Sequence, residues 1–236
     1  MTRTPIVLAW SGGKDSSLAL DQLRRDARFT IVALLTTLTE GYDRISMHGV
    51  RRAVLDAQVA AIGLPLVTMT IAPSADNAVY VERFAEALAR IRAAHPDVAT
   101  IAYGDLFLGD VRAFREAQLA PLGWTPEFPL WGADTRALAR AFVARGFRAV
   151  LTCVDTQQLD ARHAGAAYDD ALLDALPASC DPCGERGEFH TLVHDGPIFA
   201  TPLALVEGER VLRDGRFAYC DFTLAGATGA AAPASA

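Results

Sequence analysis

No apolar run in this chain is long enough to span a bilayer, although 51% of its 236 residues are hydrophobic. No secretory leader opens it either, since Ile6 already begins a strand-like segment. Both absences point to a cytoplasmic protein without membrane contact. Cysteine is sparse: Cys153, Cys180, Cys183 and Cys220 are too few for a disulfide scaffold in a chain of this length, so reduced thiols are the default. Lysine is scarce, and the formal charge of −6 argues against a broad nucleic-acid surface. There is no internal repeat. Two phosphate motifs are also missing. A Walker A loop would need Gly and Ser/Thr where Leu8 and Asp15 stand, and no G-x-G-x-x-G occurs.

What is present starts with residues 6–20, IVLAWSGGKDSSLAL. A short apolar run leads into Ser11, Gly12, Gly13, Lys14, Asp15 and Ser16, and a helical pattern follows. Glycines let backbone N–H groups turn toward an anion, and a helix N-terminus adds unpaired donors and partial positive charge. Lys14 adds a full charge and the serines add hydroxyls. A carboxylate at Asp15 would repel a phosphate unless a cation stood between them, which suggests Mg2+. The alternative for the stretch is an ordinary turn before a helix.

Further along, strands are expected at Phe29–Leu38, Leu66–Ile71 and Val98–Tyr103, with helices at 49–62, after a Ser74 cap, and at 110–120. This alternation implies an α/β fold, a doubly wound parallel sheet with ligands at the C-terminal strand ends. On that basis Gly104 and Asp105, which follow a strand, face the ligand: Gly104 by close backbone approach, Asp105 through metal or substrate. The alternative is a strand-ending turn whose Asp105 caps the next helix. From Trp124 the character changes to an irregular Pro- and aromatic-rich connection. A helix capped by Asp134, a strand at Phe147–Val154, a helix at 164–176 and hairpins with turns at Glu207-Gly208 and Asp214-Gly215 follow. The predicted organisation is a nucleotide domain over 1–123, a smaller α+β domain over 124–224, and a disordered Ala-rich tail over 225–236.

The loop Ser11–Ser16 resembles the S-G-G-x-D-S motif of the PP-loop ATP pyrophosphatases, a Rossmann-like group that cleaves ATP between the α- and β-phosphates. The runs GDLFLGDVRAFREAQLAPLGWTPEFPLW, CGERGEFHT and DGPIF resemble the diphthine–ammonia ligase branch, over about Ile6 to Phe199. The resemblance implies ATP as substrate, ammonia as nitrogen donor and a carboxylate-bearing acceptor, protein or small molecule, with AMP and pyrophosphate as products. It places phosphates on Ser11–Ser16 and adenine near Ala33, Leu34 and Leu35, with His48 close to the nucleotide. A homodimer is left open.

The loop CGERGEFHT offers Glu185 and Glu188, a pair that could bind a cation, orient an ammonium or act as a base. His190 and Thr191 could donate hydrogen bonds to a substrate. Cys180-x-x-Cys183 has metal-ligand spacing but no second pair, which favours plain thiols. Two rivals remain: an RNA-thiolating PP-loop enzyme using that Cys pair, and a non-catalytic nucleotide sensor. The sensor's glycine motif would need Gly where Pro197 stands.

Overall fold

The computed structural model describes residues 3–46, 48–73 and 75–226. The first lobe runs through β1 (Thr4–Ala9), α1 (Lys14–Arg25), β2 (Phe29–Thr39), β3 (Arg44–Ile45), α2 (Arg52–Ile62), β4 (Leu66–Ile71), α3 (Asn77–Ala94), β5 (Thr100–Ala102), α4 (Gly109–Leu119) and β6 (Thr125–Glu127). The second has α5 (Thr135–Ala144), β7 (Arg148–Asp155), α6 (Asp170–Ala175), β8 (Phe189–Asp195), β9 (Leu205–Arg213) and β10 (Phe217–Leu224).

The first sheet is parallel in the order β4-β2-β1-β5-β6, with the two-residue β3 antiparallel to the far end of β2. The chain moves from β1 outward to β2 and β4, then returns to build β5 and β6 on the other side. Strand order therefore reverses beside β1, and a crevice opens where β1 and β5 end. Alternate residues of β1 enter different cores, as a doubly covered strand requires. Ile6 and Leu8 pack with Leu18, Leu20 and Leu23 of α1, while Val7 packs with Phe84, Leu88 and Ile91 of α3. Local signals end and start the helices: Gly63 (φ 73°) stops α2, and the Asp76 and Asp134 carboxylates accept from Val79 N–H and Ala137 N–H. Among the described residues no helix is long and apolar enough to cross a membrane.

The second sheet is antiparallel, β8-β7-β10-β9. Its buried residues, among them Leu151, Phe189 and Leu192, share one core with Phe142 of α5 and with α1 and β1. Polar ties reinforce that seam. Arg44 and Arg51 both bond the Asp221 carboxylate of β10, at 2.7 and 2.5 Å, and Arg145 pairs with Asp21 of α1.

Four expectations change. The connection after Trp124 contains β6, which joins β5 in the first sheet, so that sheet extends past a boundary at 124. Residues 164–168 are not helical, because Gly165 N–H and Tyr168 N–H bond Leu151 and Ala149 carbonyls of β7; only Asp170–Ala175 coils. Glu207-Gly208 lies inside β9, opposite a register shift between Cys220 and Phe222, and Asp214-Gly215 (φ 52° and 61°) alone makes the hairpin turn. The α3 cap is Asp76; Ser74 lies outside the described residues, as do 227–236 of the Ala-rich tail.

Candidate active site

The stretch Ser11–Ser16 joins β1 to α1 at the point of strand reversal, and it is held from three sides. Gly12 (φ 76°) occupies the left-handed region that L side chains avoid, and an added Cβ would stand 2.5 Å from Gln58 Oε1. Gln58, fully buried on α2, donates its side-chain amide to the Gly12 carbonyl (3.0 Å) and the Val193 carbonyl (2.6 Å). From β8, Val193 N–H donates to the same Gly12 carbonyl (2.9 Å), and Thr191 Oγ1 accepts from Lys14 N–H (3.0 Å). Ser16 and Ser17 hydroxyls donate to the Gly13 carbonyl, and Gly13 N–H reaches Ser11 Oγ at 3.3 Å. The loop's shape is therefore set before any ligand arrives.

Lys14 is the one lysine in the chain, and its side chain is buried. Its ammonium lies 2.7 Å from Asp15 Oδ2. Burial pulls its pKa down, but the Asp15 carboxylate more than offsets this, leaving it above its ordinary value and the ammonium charged. Among the described residues Asp15 Oδ1 is buried without a hydrogen-bond partner. Gly104 closes against the same point from β5: a Cβ there would lie 2.8 Å from the Asp15 carbonyl carbon and 3.0 Å from Ser16 N. The need for glycine at 104 thus arises from packing on the loop. Asp105 beside it does not cap α4; its carboxylate pairs with Arg115 at 2.9 Å.

These groups line a cleft of about 580 Å³. One end is apolar, formed by Leu35, Ile71, Tyr80, Phe84 and Tyr103. Of the residues expected near adenine, Leu35 reaches the cleft. Ala33 and Leu34 do not line it: both are buried in the sheet opposite Val7 and Leu8, and the alternation of β2 turns Leu34 into the α1 core. Trp10 Nε1 and Tyr103 Oη, on two cleft-lining residues, are likewise buried and unpartnered among the described residues. Buried polar atoms of this kind find their partner in a water, an ion or a ligand. His48 lies at the other side, its Nδ1 donating to the Thr191 carbonyl (3.2 Å) and its ring 4.7 Å from that of His190. Burial lowers the two imidazoles to about 4 and about 3, so both are neutral near pH 7 and offer hydrogen bonds without charge.

The two glutamates have different surroundings. Glu185 lines the cleft, with Oε1 accepting from Leu106 N–H at 2.8 Å, and burial raises its carboxyl to about 7. Glu188 is fully buried and does not line the cleft. Its two oxygens accept from Asp181 N–H (2.8 Å) and Arg186 N–H (2.9 Å), fixing the turn between them. The expected carboxylate pair is thus one cleft-facing group and one internal brace. Cys180 and Cys183 are buried, with thiols directed at the carbonyls of Asp181 and Thr135, and burial pushes both up to about 12.

Sequence reasoning missed Gln58, Tyr80, Tyr103 and Arg115. Gln58 shares the inward face of α2 with the apolar Val54, Leu55 and Ile62, a detectable signal. The aromatic residues read as ordinary core at helical or strand spacing, and only the strand reversal brings them to the cleft.

Two family models match the chain: the diphthamide synthase N-terminal domain over residues 4–117 and the diphthamide synthase C-terminal domain over 134–223. A diphthine–ammonia ligase of Schizosaccharomyces pombe is 31% identical over 126 residues, 52% of this chain and 21% of that protein. The match therefore covers about a fifth of that relative's length.

Proposed function

The chain belongs to the diphthamide synthase family, and on that footing we propose that it is an ATP-dependent, AMP-forming ligase that joins ammonia to a substrate carboxylate. The observation that carries this reading is the meeting of Asp15 and Glu185, from opposite lobes, in one cleft. ATP lays its phosphates on Ser11–Ser16 and its adenine in the apolar end beside Leu35 and Tyr103. Lys14 moves from Asp15 to a phosphate oxygen, a charge-assisted contact.

The donor set fits Mg2+. Among the described residues Asp15 Oδ1 is a buried oxygen without a partner, and no group of three or more His, Cys, Asp or Glu side chains gathers as a cage. One carboxylate plus phosphate oxygens and waters is the usual Mg2+ arrangement. When bound, the ion supplies charge neutralisation across the phosphates. The protein's own part is positioning. An acceptor carboxylate oxygen attacks the α-phosphorus, the bond to the bridging β-oxygen breaks, and pyrophosphate leaves. Ammonia nitrogen then attacks the acyl carbon and AMP leaves. The proton shed from nitrogen passes to the Glu185 oxygen that Leu106 does not hold.

Thiolation finds no support here, since Cys180 and Cys183 are buried, protonated thiols. The test is product identity. Purified protein with Mg2+, ATP, ammonium and fractionated cell extract is expected to release AMP and pyrophosphate in equal amounts. Release of ADP and phosphate would overturn the assignment.

A further inference from the structure

The Glu207-Gly208 pair has a role other than turning the chain. The β9–β10 ladder steps from Arg210 opposite Cys220 to Glu207 opposite Phe222, so Gly208 and Glu209 together face one residue, Asp221. Bulges of this kind re-aim side chains and are common beside active sites. Cys220 and Phe222 are buried on one face of β10, and alternation puts Tyr219 and Asp221 on the other. Both meet the first lobe at the segment between β3 and α2.

We propose that Asp221 is a positioning residue for the cleft: by binding Arg44 and Arg51 together it keeps His48 against the start of α1. This rests on the nucleotide part of the ligase reading above.

Arg44 Nη1 donates to Asp221 Oδ1 at 2.7 Å and to the Gly49 carbonyl at 2.6 Å. Arg51 Nε and Nη2 donate to Asp221 Oδ2 at 2.9 and 2.5 Å. One carboxylate thus closes both ends of the segment. Tyr219 presses on its middle: Gly49 stands at φ 66°, and a Cβ there would lie 3.0 Å from the Tyr219 ring. From the other side Ser46 N–H donates to the Thr37 carbonyl of β2. The three charged side chains are partly shielded, at 17% exposure for Asp221, 29% for Arg44 and 31% for Arg51. Without the carboxylate, two guanidiniums face each other unpaired, which opens the segment.

The segment carries Ser46 and His48 into the cleft wall, while Asp221 itself does not line the cleft. A carbonyl only accepts, so His48 Nδ1 donates to Thr191 O, and the same Thr191 holds Lys14 N–H through its hydroxyl. His48 Cε1 would lie 2.9 Å from a Cβ on Gly13. The imidazole therefore braces the phosphate loop where α1 begins, and Asp221 acts on that loop through it.

The test is a double-mutant cycle on Asp221→Asn and His48→Ala in the full chain. The quantity read is affinity for a non-hydrolysable ATP analogue with Mg2+, by calorimetry. Each single variant is expected to lose roughly 2- to 10-fold, the value of one neutral hydrogen bond. The double variant is expected to bind no more weakly than His48→Ala, because the two residues act in series. Losses that multiply, or an Asp221→Asn protein with unchanged affinity, would overturn the proposal.

A second readout needs no nucleotide. Burial among neighbours that include Lys14 and His190 lowers His48 to about 4, so its imidazole resonance is flat from pH 8 to about 5.5 in the parent protein. The resonance is identified by its loss in His48→Ala. In Asp221→Asn it is expected to titrate toward the ordinary value of 6.5. A resonance that stays flat would overturn the proposal. Should Asp221→Asn fail to fold, Arg51→Gln removes the same tie from the more exposed side and is read identically. Absence of analogue binding to the parent protein would sink the ligase reading, and the imidazole titration would still decide whether Asp221 places His48.

Discussion

The two loops that face each other across the cleft are built on opposite plans. Ser11–Ser16 is shaped by backbone: a left-handed Gly12, a crowded Gly13, and carbonyls and N–H groups bonded by Gln58, Thr191 and Val193. The loop from Asp181 to Glu188 is shaped by its own side chains. Asp181 Oδ1 takes Cys183 N–H, and Glu188 takes Asp181 N–H and Arg186 N–H. A backbone-built loop tolerates no added atom but leaves its charged side chains for a ligand. A side-chain-built loop spends its carboxylates on itself and frees only what remains, here Glu185 and Arg186. The comparison warns against counting acidic residues as catalytic by spacing alone.

The sharpest way to break this contrast is at Gly104. A Cβ added there would stand 2.8–3.0 Å from backbone atoms of Asp15 and Ser16, which cannot rotate aside. Gly104→Val must displace the start of α1, and a misplacement of about 1 Å at a reactive site can cost about 100-fold. ATP turnover is expected to fall by at least that factor while the thermal transition remains cooperative. Turnover within a few-fold of the parent would show that the loop is not rigidly packed.

Lys14 comes next. Lys14→Ala removes one charge-assisted contact and is expected to weaken ATP binding roughly 10- to 100-fold. Because Lys14 is the chain's one lysine, an amine-reactive reagent has one side-chain target. Mg2+–ATP is expected to protect it from labelling, as mapped by mass spectrometry. Labelling at the same rate with and without nucleotide would remove Lys14 from the phosphate grip.

This division also explains what could be read in advance. The loop, its strand and its helix have local signatures, a glycine pair and an apolar run, and the alternation of strands and helices predicted the parallel sheet. What stayed hidden depends on distant pairing. β6 exists because β5 offers it an edge, although Pro126 is a poor strand former. Residues 164–168 abandon a helical pattern because β7 takes their N–H groups. The different fates of Ala33, Leu34 and Leu35 follow from strand alternation once the C-terminal end of β2 is placed. Glu188 could not be told from Glu185, since only the folded turn shows which carboxylate faces inward.

The third prediction tests that last distinction. Glu188→Gln presents an amide where two N–H donors converge, so at least one buried donor loses its acceptor. The expected loss of stability is about 1–3 kcal/mol, read as a lowered denaturation midpoint. Glu185→Gln, at a half-buried site with one N–H partner, is expected to leave the midpoint nearly unchanged. Equal midpoints for the two variants would erase the brace-versus-reactive contrast.

The smallest effect expected is in pH dependence, and it follows from the environment of Glu185. Burial raises this carboxyl to about 7 from an ordinary value near 4.5, against the opposing hydrogen bond from Leu106 N–H. The folded state therefore binds this proton more tightly than the unfolded state does. The contribution to stability is fully present below about 4.5 and is lost as pH rises through about 7. Catalysis runs the other way. Accepting a proton from ammonium needs the carboxylate, so amide formation is expected to rise with pH through about 7 while stability slips slightly. Glu185→Gln should flatten both trends, leaving ATP affinity near the parent value because the group stands on the acceptor side. The measurement is AMP release from pH 5.5 to 8.5 at a fixed concentration of free ammonia, with denaturation midpoints over the same range. Holding free ammonia constant matters, since its own ionisation would otherwise mimic the rising limb. A limb near 7 that persists in Glu185→Gln would assign the proton to another group, and His48 and His190, already neutral at that pH, would not supply it.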